Sequence, residues 1–127
     1  VIKMCLIHDM GEAITGDIPA FEKTDEDRKV ENKKVDQLTD TLPEPARTEW
    51  KELFAEMEAL ETQEAKLYKS LDKLEVLIQH NEADISTWIP LEYDLQMTYG
   101  NEECKFTEYI QRLRDEVRKD SKKKIGI

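Results

Sequence analysis

His8 and Asp9 stand side by side in the run LIHDMGEAITGDIPAF (residues 6–21), and Glu12 and Asp17 follow shortly after. At helical pitch His8 and Glu12 are i,i+4 neighbours, and Asp9 and Glu12 are i,i+3 neighbours. The segment opens inside a nearly continuous apolar run, Val1-Ile2-Lys3-Met4-Cys5-Leu6-Ile7. Three ionisable groups therefore share one patch of a helix that is otherwise apolar almost all round, the pattern of a buried helix. A buried carboxylate must be paired, neutralised or bound to a metal. A divalent cation would satisfy His8 and Asp9 together and leave Glu12 for proton transfer or water orientation. The same residues also read as a solvated N-terminal helix, or as a core histidine hydrogen-bonded to its neighbour, because a lone His-Asp dipeptide matches by chance easily.

The rest of the stretch narrows the choice. Gly16 sits where a left-handed cap would end the helix, with Pro19 soon after. Asp17 is then expected in a tight turn near the end of the helix that carries Glu12. The pattern His8-Asp9-x-x-Glu12-x-x-x-Gly16-Asp17-Ile18-Pro19 resembles the HD-domain metal-dependent phosphohydrolases, specifically their 5'-deoxynucleotidase-like branch. The match is specific over this stretch and extends more weakly to about residue 93. The resemblance implies an all-α, HD-domain-like helical bundle. It also implies a metal site of two histidines and two aspartates, the first histidine lying upstream of the His-Asp pair.

The elements that must position these groups follow in order. Thr24 is a plausible N-cap with Asp27 three residues on, and Asp25, Glu26 and Asp27 favour the positive end of a helix dipole. That helix runs to about Thr41 with a thin apolar edge of Val30, Val35, Leu38 and Leu42, and a solvated charged face. Pro43 and Pro45 break the chain. Ala46, Trp50, Leu53, Phe54, Met57 and Leu60 then form a 3.6-residue stripe. A long helix over residues 62–84 is capped by Thr62 and supported by Glu64. Leu67, Leu71, Leu74 and Ile78 make one apolar stripe. Ala65, Tyr68, Asp72, Glu75 or Val76, and Gln79 make an adjacent one, so Asp72 shares the packed side with Tyr68 and needs a partner. A surface pairing with Lys69 or Lys73 would supply one. The resemblance instead implies that Asp72 is the last metal ligand. His80 does not stand in for the missing histidine. It lies eight residues beyond Asp72, about 12 Å along the same helix, whereas metal–ligand bonds are about 2 Å.

Residues 85–100 read as irregular, with Trp88, Tyr93 and Tyr99 covering either the open end of the core or a partner's surface. A last helix over about 102–119 carries Phe106, Ile110, Leu113 and Val117, and a disordered basic tail is expected from about 120 to 127. No repeat or strand-like alternation occurs. The expectation is a single all-α domain of about five helices.

The bounds agree. The chain has 127 residues, 38% charged and 39% hydrophobic, with four Gly and four Pro, which favours helices over sheets. A net charge of −10 argues against a nucleic-acid polymer as partner. A small anionic nucleotide remains compatible if a metal supplies local positive charge. Cys5 and Cys104 suggest no disulfide framework. No signal peptide or membrane-length run is apparent, so the reading is a soluble, cytoplasmic protein. The chain begins at Val1 inside an apolar run. It is therefore expected to be N-terminally incomplete, without the upstream histidine, and to cover the Val1–Ile7 face by self-association as a homo-oligomer, a dimer.

The functional expectation is a divalent-metal-dependent phosphoric monoester hydrolase acting on 5'-(deoxy)nucleoside monophosphates. By resemblance His8, Asp9 and Asp72 hold the metal, Mn, Co, Fe or Zn with Mg possible. Glu12 orients or protonates reacting groups, and Asp17 contacts the attacking water or the leaving 5'-oxygen. Two alternatives stay open. One is an HD-domain hydrolase of an alarmone or cyclic dinucleotide, although those branches place an acidic pair or a lysine where Glu12-Ala13 stands. The other is a non-catalytic helical interaction module that retains part of the motif.

Overall fold

The structure is a computed structural model that describes residues 1–19 and 22–127. Ala20 and Phe21, at the end of the motif stretch, lie outside the described residues. Among those described there are seven α-helices: α1 (Ile2–Ile7), α2 (Glu12–Thr15), α3 (Asp25–Asp40), α4 (Ala46–Ala59), α5 (Gln63–Glu82), α6 (Pro90–Thr98) and α7 (Glu108–Ile125). Short 3₁₀ helices cover Ile85–Thr87 and Glu103–Phe106. The all-α expectation holds. The described residues form two compact units, Val1–Ala65 and Lys66–Ile127.

In the first unit the chemistry sits between two short helices rather than on one continuous helix. After α1 the backbone tightens to i,i+3 bonds, with Met10 N donating to Ile7 O (3.1 Å), Glu12 N to Asp9 O (3.0 Å) and Ala13 N to Met10 O (3.3 Å). Such 3₁₀ geometry has three residues per turn, so side chains at i and i+3 eclipse. It therefore strengthens the Asp9–Glu12 neighbour relation at the expense of the His8–Glu12 one. Gly16 ends the segment at φ 81°, ψ 159°. That differs from the expected left-handed cap: φ is positive but the chain leaves extended, in a region open essentially to glycine alone.

Helix α3 begins as the local signals dictate. Thr24 Oγ1 accepts the Asp27 amide (3.2 Å) and Asp27 Oδ2 accepts the Thr24 amide (2.8 Å), a reciprocal capping box. Its buried residues are Val35 and Thr39, while Val30 is exposed. Helix α2 packs on α3, and α1 and α3 pack on α4. The approach of α2 to α3 depends on Gly11. A β-carbon there would stand 2.7 Å from both Glu31 Cγ and Val35 Cγ2. Gly11 has ordinary helical φ and ψ (−62°, −32°), so helix propensity alone would make alanine the better residue, by about 1 kcal/mol. The clash with a stiff β-branched side chain outweighs that, since overpacking costs about 1–3 kcal/mol. Gly11→Ala should lower the denaturant midpoint, and Val35→Ala in the same chain should recover part of the loss. A Gly11→Ala protein more stable than the parent would show that α3 yields freely.

Within the second unit Leu74, Leu77, Cys104, Ile110 and Val117 form the core, with Leu67, Tyr99, Phe106 and Leu113 packed around them. The expected stripe on α5 is corrected at its end: Leu77 is buried and Ile78 is exposed. Thr62 caps α5 as expected, its Oγ1 accepting the Ala65 amide (3.1 Å). The segment expected to be irregular contains α6. Pro90 starts that helix rather than breaking one, because its fixed φ suits the first turn and its missing N–H is not needed there. The Ile89 amide just before it donates to Glu92 Oε2 (2.8 Å). The tail is also corrected. Helix α7 continues through Lys122, Lys123 and Lys124 to a left-handed cap at Gly126. Basic side chains in a last turn are favoured by the helix dipole, which gives that charge run a structural use. Among the described residues no helix is long and apolar enough to cross a membrane.

Candidate functional site

The imidazole of His8 is oriented by its own helix. Its Nδ1 lies 2.6 Å from the carbonyl of Cys5, which can only accept, so Nδ1 carries the proton. The neutral ring then has its lone pair on Nε2, and Nε2 faces Asp9 Oδ2 at 3.1 Å. Two lone-pair atoms at that separation require a positive charge between them, either a proton on Nε2 or a cation. An imidazole anchored through one nitrogen to a backbone carbonyl, with the other turned toward a carboxylate, is the usual arrangement of a metal-ligating histidine. His8 and Asp9 thus fit a divalent ion chemically. They make a partial set: among the described residues no three His, Cys, Asp or Glu side chains are gathered to hold a metal.

Glu12 opens α2, and its side chain is 20% exposed. Burial pushes its carboxyl above the usual range, and the charges of Asp9 and Asp17 push it the same way, while Lys23 opposes them. Asp17 itself is exposed in the irregular segment after Gly16, not in the expected tight turn. Asp9 and Asp17 therefore both act on the charge of Glu12. Such a carboxyl holds its proton more readily folded than unfolded, so its ionisation works against folding. Stability from this group falls as pH rises from the unfolded pKa through the folded one. Glu12→Gln should accordingly raise the metal-free melting temperature at pH 7, with the gain vanishing as pH drops below the ordinary glutamate range. Equal gains at both pH values would remove the electrostatic explanation.

Sequence reasoning missed the partner of Glu12. Lys23 Nζ lies 3.5 Å from Glu12 Oε1 and also pairs with Glu31 Oε2 on α3. No local pattern announces this, because the three residues meet only when α2 docks on α3. Burial alone would pull the Lys23 ammonium down. Its hydrogen bond to Glu31 and the charges of Glu31 and Glu12 outweigh that and hold it above its ordinary value.

Asp72 belongs to the second unit, on α5, where its half-buried carboxylate lies 3.1 Å from Lys69 Nζ. His80 is in the last turn of the same helix. Its Nδ1 faces Gln96 Oε1 (3.2 Å), its Nε2 faces Glu92 Oε1 (3.4 Å), and its carbonyl accepts Trp88 Nε1 (3.0 Å). These contacts give His80 a place in the packing of α5 against α6.

Comparison with known proteins places the chain. The HD domain family model matches residues 1–114. The 5'-deoxynucleotidase HDDC2 of Mus musculus is 39% identical over 83 residues, covering 64% of this chain and 42% of the relative. The Dictyostelium discoideum protein of the same name is 36% identical, covering 62% and 43%. The 5'-deoxynucleotidase hdd1 of Schizosaccharomyces pombe is 36% identical, covering 61% and 42%. The chain spans about two fifths of the length of these curated relatives. No solved structure matches it.

Proposed function

We propose a function from one premise: this chain belongs to the HD-domain family. The reading is metal-dependent hydrolysis of a phosphate monoester, with 5'-(deoxy)nucleoside monophosphates as substrates. The observation that carries it is the His8–Asp9 pair, with Nδ1 anchored on Cys5 O and Nε2 turned to Asp9 Oδ2. The name 5'-deoxynucleotidase, borne by relatives across this stretch, supports the substrate class.

His8 Nε2 and the Asp9 carboxylate would hold the metal, and Asp72 would complete the set this chain contributes. Mixed imidazole and carboxylate donors suit Mn, Co, Fe or Zn, and Mg is admissible. When bound, such an ion supplies Lewis acidity toward a phosphoryl oxygen and lowers the pKa of water. Glu12, with its carboxyl shifted upward, is suited to holding and moving a proton during the transfer. Asp17 contacts the attacking water or the leaving 5'-oxygen. The chain is read as one HD-type domain, and the exposed Ile2 (78%) and Leu6 (76%) on α1 support self-association over that face.

The test is phosphate release from 5'-deoxynucleoside monophosphates with each divalent metal in turn. It is run on this chain and on the longest polypeptide its gene encodes. Release that needs metal and disappears in His8→Ala is the expected result. No release with any of the metals, or release indifferent to His8, overturns the reading.

A further inference from the structure

Lys23 is not placed as a surface lysine usually is. The Glu22 and Lys23 amides both donate to Pro19 O (2.8 and 3.1 Å). The Lys23 ammonium meets Glu12 of α2 and Glu31 of α3. The side chains of Lys23, Glu12 and Glu31 are only 17%, 20% and 14% exposed, so their attraction is screened less than that of a surface pair. Glu31 is itself held from below. Its Cγ would stand only 2.7 Å from a β-carbon on Gly11, so its stem packs closely over the Gly11 backbone. A mechanical chain results, from the Gly11 backbone through the Glu31 stem and the Lys23 ammonium to the Glu12 carboxylate.

We propose that Lys23 is a positioning residue, which bridges Glu12 to Glu31 on α3 and fixes the Glu12 carboxylate in the orientation it uses in hydrolysis. The proposal rests on the reading of Glu12 as a group that moves a proton. It adds a residue outside the motif as the one that holds Glu12 still. A carboxylate on a four-residue helix followed by an extended glycine has few other restraints, and small misplacements of a reacting group lower rates steeply.

The experiment has two arms. In the first, ¹⁵N NMR follows the Lys23 ammonium, with no dependence on activity. A slowly exchanging Nζ–H signal is expected in the parent and should broaden into solvent exchange in Glu31→Gln. A parent ammonium that exchanges as freely as the other lysines overturns the bridge. In the second, Lys23→Met should lower kcat by about 10- to 100-fold while KM stays within about twofold. Lys23→Arg, which keeps the charge, should recover most of the loss. Unchanged kcat in Lys23→Met, alongside an active parent, overturns the positioning role and leaves the proposed function standing. An inactive parent with a protected ammonium refutes the hydrolase reading and the catalytic part of this inference together, and leaves only the ion bridge. Lys23→Gln is the second neutral variant. Unfolding of both neutral variants while Lys23→Arg folds would make Lys23 a structural tie, which also overturns the proposal.

Discussion

Alanine at Asp9 is expected to abolish phosphate release and bound metal together, whereas alanine at Glu12 should spare the metal. The difference follows from what each side chain faces. Asp9 Oδ2 lies 3.1 Å from His8 Nε2, the ring nitrogen that does not face the Cys5 carbonyl. Without that carboxylate the ion loses an anionic ligand, and with it the ability to acidify water at neutral pH. Glu12 instead sits in a coupled acid patch with Lys23 as its counter-charge. Its removal should slow turnover by roughly 10²–10⁴-fold, the range for a group that moves a proton. Metal analysis of each purified variant, paired with its kinetics, decides between the roles. A Glu12→Ala protein that loses its metal would make Glu12 a ligand, and an active Asp9→Ala protein would remove Asp9 from the metal site.

Replacing Arg114 by alanine is expected to destabilise the protein by about 3–5 kcal/mol, the range for truncating a large buried polar residue and leaving its partners unsatisfied. Arg114 is 1% exposed. Its Nε donates to Tyr99 O (3.1 Å) and its Nη2 to Gln96 O (2.9 Å), so it closes carbonyls at the end of α6 that no helical amide can reach. Arg118 does the same for Met97 O (3.3 Å). The arrangement is costly, because Nη1 is buried with no partner among the described residues. Burial, and then the neighbouring Arg118, pull the guanidinium down to about 10. Arg114→Met, which removes the buried charge and keeps much of the volume, should therefore lose less than Arg114→Ala. Urea midpoints of the two variants test this. A loss below about 1 kcal/mol for alanine would mean that water replaces the guanidinium at the α6 carbonyls at little cost.

The sequence by itself determined those features whose physics closes within a few residues. Thr24 and Asp27 make a capping box because each side chain accepts the other's amide three residues away, and Thr62 caps α5 through an equally local bond from the Ala65 amide. The helical class followed from periodicity and composition. The motif His8, Asp9, Glu12 and Asp17 was visible because carboxylates and an imidazole crowd an apolar segment, and its resemblance pointed to the HD-domain family that the comparison shows. Tertiary structure decided the rest. Whether a charged residue is solvated or buried depends on partners distant in sequence. Arg114 looks like one more surface charge on α7 until the α6 carbonyls are set against it, and Gln96 is fully buried only because Leu77 O and Ser121 Oγ meet it. Leu77 replaced Ile78 in the core because a stripe fixes a face of α5 only to within one residue, and the neighbouring helices choose the rest. Lys23 is the clearest case: its ion bridge to Glu12 and Glu31 exists only once Gly11 has let α2 close on α3.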